Sequence, residues 1–187
     1  MVHWNILYLV ISLLSLSPLG VSWDKVYNDY PQISGYSYYY GDLDWGQVIY
    51  YGQEDLLGME TEIQLVFQGK RISKAYLIFG PAGINDWNCI IKYKKVRRML
   101  SHKYGDYNYV RETKDPIIED LLSAAPCYPI SIGLHEVNTY WTHKGYQIEA
   151  SLLGGPDSEF YIEITYTNKS REKIRSEEEK LRIIKQL

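Results

Sequence analysis

Apolar and polar residues alternate with period two in four stretches of this chain. In METEIQLVF (59–67), Met59, Thr61, Ile63, Leu65 and Phe67 fall on one side, and Glu60, Glu62 and Gln64 on the other. ISKAYLIF (72–79) returns after QGKR, where Gly69 suits a hairpin turn. In YQIEASLL (146–153), Tyr146, Ile148, Ala150 and Leu152 oppose Gln147, Glu149 and Ser151. The cluster GGPD is a turn, and EFYIEITY (159–166) then places Phe160, Ile162, Ile164 and Tyr166 inward, with Glu159, Tyr161, Glu163 and Thr165 outward. Alternation of this kind predicts antiparallel strands with one covered face and one wet face.

The period changes to helical between the two pairs. In NDWNCIIKYKKVRRMLSHKYG, Ile90, Tyr93, Val96, Leu100 and Tyr104 share a face with Cys89. Asn85 or Asp86 is the expected N-cap, and Gly105 the residue that ends the helix. DPIIEDLLSAAP (115–126) reads as a short second helix, with Asp115 capping and Pro116 in the first position. The tail KSREKIRSEEEKLRIIKQL is charged and helical, with a sparse apolar stripe at Ile174, Leu181, Ile184 and Leu187. These elements predict an α+β fold, an antiparallel sheet of five to seven strands with the helix packed on one face. Strand, hairpin, strand and helix recur in each half, the pattern of a βββα unit used twice in tandem.

The first 22 residues contain no Lys, Arg, Asp or Glu. Their apolar run, Ile6 to Val21, is broken by serines, Pro18 and Gly20, and is short for a membrane span. Gly20 and Ser22 occupy positions −3 and −1 of a cut before Trp23, which reads as a secretory signal peptide. An uncleaved membrane tether and a buried N-terminal helix are the alternatives, and the missing basic residues at the start depart from the signal pattern. The expected organisation is a signal peptide (1–22), an irregular tyrosine-rich arm (23–44), one α+β domain (45–168) and a charged C-terminal helix (169–187). The expected location is the periplasm or the extracellular space.

Composition adds one unusual feature, 19 tyrosines in 187 residues, where hydrophobic content, charged content and a net charge of −3 are ordinary. Several tyrosines gather in GYSYYYGDLDWGQVIYYG (35–52). If YSYYY is extended, Tyr36, Tyr38 and Tyr40 point one way and Tyr39 the other, as on an edge strand or an arm. An apolar leader, WGQV, a hairpin, a helix ending LSHKYG and a YW before a second hairpin together resemble a class of small exported bacterial proteins of unknown function. Those carry a helix ending in Lys-Tyr-Gly between two groups of strands. The resemblance implies an antiparallel sheet with packed helices and no particular activity.

Chemistry is thinly signalled. Cys89 and Cys127 are the only cysteines, and export favours their pairing in a disulfide, with buried thiols as the alternative. Cys127, His135 and Glu136 are the sole candidates for a hydrolase with dispersed catalytic residues. No zinc-type spacing, nucleophile elbow or phosphate loop is present, and FGPAG reads as a turn. No metal or other cofactor is expected. Exposed tyrosines present large contact area at low entropy cost, so Tyr38, Tyr39, Tyr40 and Trp45 are candidate binding residues. Lys92, Lys95 and Arg98 form a basic helix face suited to an anionic envelope partner or simply to solvent. The function expected is a non-catalytic binding or interaction module of the envelope or secreted fraction. Its partner would be an envelope macromolecule or a protein, with no nucleic acid expected. A subunit docking through Leu181, Ile184 and Leu187 is a further alternative.

Overall fold

A computed structural model describes residues 18–43, 46–52, 57–83, 88–115 and 125–174. Eight strands form one antiparallel sheet: β1 (Tyr36–Asp42), β2 (Gln47–Gly52), β3 (Thr61–Gln68), β4 (Arg71–Gly83), β5 (Tyr109–Lys114), β6 (His135–His143), β7 (Tyr146–Gly154) and β8 (Glu159–Asn168). A 16-residue helix, α1 (Cys89–Tyr104), joins β4 to β5, and the four-residue α2 (Tyr128–Ser131) precedes β6.

The sheet order is β1-β2-β3-β4-β8-β7-β6-β5. Each half is therefore a four-stranded meander followed by a helix, since residues 169–174 are helical after β8. The two halves meet through their last strands, with Leu77 opposite Ile164. This palindromic order is what a two-fold relating the halves produces. The expected βββα unit gains a strand in each half: the tyrosine-rich β1 and the exposed β5, the two edges. The total exceeds the expected five to seven for the same reason.

Alternation sets the two faces. Leu65, Ala75, Tyr166 and Ile148 lie in one ladder row, and Ile63, Leu77, Ile164 and Ala150 in the next. All are buried, and they form the floor of the core. Over the second half lies α1, through Cys89, Tyr93, Val96 and Leu100, on β6 and β7. The Tyr93 hydroxyl donates to the Ala150 carbonyl at 2.9 Å and meets Thr139 Oγ1 at 2.7 Å, fixing the helix to the sheet through a satisfied buried polar group. Its C-terminus is set by Gly105 at φ 85°, a left-handed value glycine adopts without strain.

Among the described residues, an irregular arm covers the first half. Val21, Trp23, Tyr27 and Ile33 all belong to the core. Trp23 is 1% exposed and packs edge-on against Tyr146, with ring centroids 5.2 Å apart. Hydrogen bonds to its backbone hold the arm down: Tyr27 N–H donates to the Lys70 carbonyl at 2.8 Å, and the Tyr50 hydroxyl donates to the Pro31 carbonyl at 2.9 Å. The expected signal divides here, since residues 1–17 lie outside the described residues while Val21 is in the core.

Three local expectations change. The tyrosine-rich arm is irregular only as far as Gly35, beyond which it pairs with β2. The segment FGPAG is not a turn but the end of β4, which bulges there and continues to pair with β8 through Ala82 and Gly83, with a cis peptide at Gly80–Pro81. The helix begins at Cys89, three residues after Asp86, and Asn88 makes no side-chain cap bond. Most of the helix expected at 115–126 lies outside the described residues, as do Trp45, Leu181, Ile184 and Leu187.

Candidate binding face

Strand register writes the open face of the sheet as rows. One row reads Tyr40–Ile49–Gln64–Tyr76–Thr165–Glu149–Tyr140–Tyr109. The adjacent row reads Ser37–Tyr51–Glu62–Ile78–Glu163–Ser151–Asn138–Arg111. Each row crosses all eight strands, a distance of about 34 Å at the usual inter-strand spacing. The helices α1 and α2 contact the sheet on the other face, where the core lies.

The tyrosines at the β1–β2 end are the most open part of this face. Tyr39, Tyr40 and Tyr51 are 61%, 56% and 45% exposed. Tyr39 lies 5.3 Å from Tyr40 and 4.8 Å from Tyr51 between centroids, both edge-on. A β-bulge between Tyr38 and Tyr40 brings them together. Strict alternation would set Tyr40 beside Tyr38, but the extra residue moves Tyr40 to the side of Tyr39. Gly41, at φ 131°, permits the return, because a Cβ there would strike the Gln47 carbonyl oxygen. Tyr38 faces the other way. It stacks on Tyr30 at 4.5 Å and approaches Tyr50, and its hydroxyl donates to the Gly41 carbonyl at 3.0 Å. Tyr38 is thus a support for the edge, and of the four expected aromatics Tyr39 and Tyr40 stand on the open face.

Polar side chains beside the rings are tied into a ladder. Gln47 Nε2 donates to Gln64 Oε1 at 2.9 Å, and Gln64 Nε2 donates to Glu62. A hydrogen bond between Tyr51 and Glu62 raises the phenol pKa. The same pairing recurs elsewhere. Tyr140 is pushed up to about 12, first by burial and then by its hydrogen bond to Glu149. The Tyr161 hydroxyl donates to Glu159 at 3.1 Å, and its pKa is also raised, chiefly by burial. These phenols stay protonated at neutral pH and act as donors to carboxylates. At the far end Tyr109 stacks on Tyr140 at 4.4 Å, with Tyr109 55% exposed.

The basic helix is on the opposite layer. Lys95 and Arg98 are exposed on α1 and Lys92 is half-buried, so the structure does not bring them to the tyrosines. Of the catalytic candidates, Cys127 is bonded to Cys89, with Cα atoms 5.8 Å apart. Its sulfur therefore carries no thiolate nucleophile. His135 is buried, and its Nε2 lies 2.8 Å from Glu112 Oε1 rather than near Glu136. Glu136, one residue on, points to the other face of the sheet. The three candidates do not form a constellation. Among the described residues no group of three or more His, Cys, Asp or Glu side chains is placed to hold a metal ion, and no helix is long and apolar enough to cross a membrane.

Sequence reasoning missed Tyr51, Gln47, Tyr76, Tyr109 and Tyr140 as members of this face. The alternation marked Glu62, Gln64, Tyr161 and Glu163 as outward, but only the register aligns them with those residues. Compared with protein-family models, with curated proteins and with solved structures, the chain matches none.

Proposed function

We propose that this protein is an exported, non-catalytic binding module whose ligand surface is the open sheet face around Tyr39, Tyr40 and Tyr51. The observation that carries the reading is the contact cluster of these three rings, each about half exposed or more, on the face opposite α1 and α2. Aromatic rings held at fixed angles offer contact area with little side-chain entropy to lose. Their edge-on packing gives a faceted surface, suited to a single polymer chain more than to a flat lattice. Export is supported by the Cys89–Cys127 bond, since disulfides persist in oxidising compartments, and by the apolar N-terminal run. The test is a triple alanine variant at Tyr39, Tyr40 and Tyr51. Its retention on the envelope or extracellular fraction of the host should fall while its thermal midpoint stays within a few degrees. Retention equal to that of the parent chain removes the site.

A further inference from the structure

We infer that the open face takes a cationic ligand, an extended polypeptide segment rich in lysine and arginine. The inference rests on the binding reading above and names its ligand class. Among the described side chains the strands place five carboxylates on this face, Glu62, Glu136, Glu149, Glu159 and Glu163, against three cations, Arg71, Lys74 and Arg111. None of the five is in an ion pair with a described lysine or arginine. Four of them are instead held by neutral donors. Gln64 and Tyr51 serve Glu62, Ser151 and Tyr140 serve Glu149, Thr165 serves Glu163, and Tyr161 serves Glu159. Neutral donors fix a carboxylate in place without cancelling its charge, so the negative potential of the face persists.

The rings add to that potential. Aromatic faces attract ammonium and guanidinium groups, and a phenol bonded to a carboxylate sets a ring beside an anion. Three such pairs occur, Tyr51–Glu62, Tyr140–Glu149 and Tyr161–Glu159. One internal example already exists: Lys74 Nζ sits 5.0 Å from the centroid of Tyr76 on this face. A polyanion is disfavoured by the same charges, whereas α1, on the other layer, carries lysines and arginines and no acidic residue. An extended segment of about ten residues is long enough to lie across a full row.

The probe is a fluorescein-labelled decalysine, with a decapeptide of glycine and serine and a decaglutamate as controls, followed by anisotropy on the full-length disulfide-bonded chain. Decalysine should bind, more weakly as salt rises, and the controls should not. Glu62→Gln/Glu149→Gln/Glu163→Gln should weaken binding at least about tenfold. Tyr39→Ala/Tyr51→Ala, which leaves net charge unchanged, should weaken it about threefold or more. Lys94→Gln/Arg98→Gln on the helix should leave it unchanged. Each variant is first required to unfold at the parent's midpoint, and the single Glu→Gln variants replace the triple variant if it fails this check. Absence of decalysine binding at low salt, or binding insensitive to the glutamate and tyrosine variants, overturns the inference. If that happens while the triple tyrosine variant still loses retention on the host fraction, the binding reading survives and only the cationic ligand falls. Self-association abolished by Lys94→Gln/Arg98→Gln would make a second copy the occupant and overturn the polypeptide ligand.

Discussion

Removing the disulfide by Cys89→Ala/Cys127→Ala should cost this protein a large share of its stability. The bond ties the first residue of α1 to the residue before α2, across a sequence separation of 38. The chain-entropy relation for a loop of that size gives about 4 kcal/mol, with measured losses commonly in the range of about 2–5 kcal/mol. The local structure argues against a smaller value. The helix α1 lacks a side-chain N-cap, so its first turn is anchored covalently. The Cys89 N–H donates to Cys127 Sγ at 3.2 Å, and that buried donor loses its partner in the variant. A loss of this size lowers the thermal midpoint by on the order of 10 °C for a domain of this length. The assay is urea unfolding followed by tryptophan fluorescence, parent against double variant. Both cysteines are fully buried, 0% and 1% exposed, so dithiothreitol should reduce the bond only when denaturant opens the chain. A variant less than about 1 kcal/mol weaker than the parent would refute the reasoning, because the loop would then be constrained equally well without the bond.

Other consequences follow from the core and from the phenols. Trp23→Ala should destabilise by about 3–5 kcal/mol, the usual cost of emptying a large buried aromatic site, and an unchanged urea midpoint would show that the arm is not part of the core. Tyr93→Phe keeps the packing but removes a hydroxyl that serves Thr139 and Ala150, and should cost about 1–2 kcal/mol by the same unfolding assay. Burial raises Tyr93 and Tyr104 to about 12 from an ordinary 10.0, so the unfolded chain ionises first. The stability these phenols contribute is whole below pH 10 and is lost as pH climbs towards 12, which absorbance at 295 nm and circular dichroism would record together.

The central architecture was legible because burial on one face imposes period two, and METEIQLVF and EFYIEITY carry that signature plainly. The α1 face was legible for the same reason, through Cys89, Tyr93, Val96 and Leu100. The edge strands were not. β5 is exposed over most of its length, from Tyr109 to Thr113, so no covered face writes a pattern into it. β1 hides its pattern behind a bulge, which converts an alternating run of tyrosines into two on one side and makes Tyr40 a neighbour of Tyr39. The arm at 21–33 has no period because it is held by scattered anchors, Trp23, Tyr27 and Ile33, and by hydrogen bonds to the Lys70 carbonyl and the Tyr50 hydroxyl. The site was half legible. Tyr39 and Tyr40 were identifiable by their density in the chain, but Tyr51, Tyr140 and Tyr109 join the face only through strand register, a long-range property that local sequence does not carry. Charge segregation shows the same division. The basic helix stands out as a run of sequence, whereas the acidic face is assembled from four strands, β3, β6, β7 and β8.

That segregation gives the two layers different tasks in this account. The helix and arm complete the core beneath the sheet, and the sheet's other face is left for a ligand. The measurement that tests this most directly is covalent tyrosine footprinting of the full chain, with and without the host envelope or extracellular fraction. Tyr107, 43% exposed and stacked under Arg97 of α1, serves as an internal reference on the helix side. The account predicts that Tyr39, Tyr40 and Tyr51 lose reactivity when the fraction is added, while Tyr107 does not. Equal labelling of the three rings in both conditions, or protection of Tyr107 in their place, would contradict it.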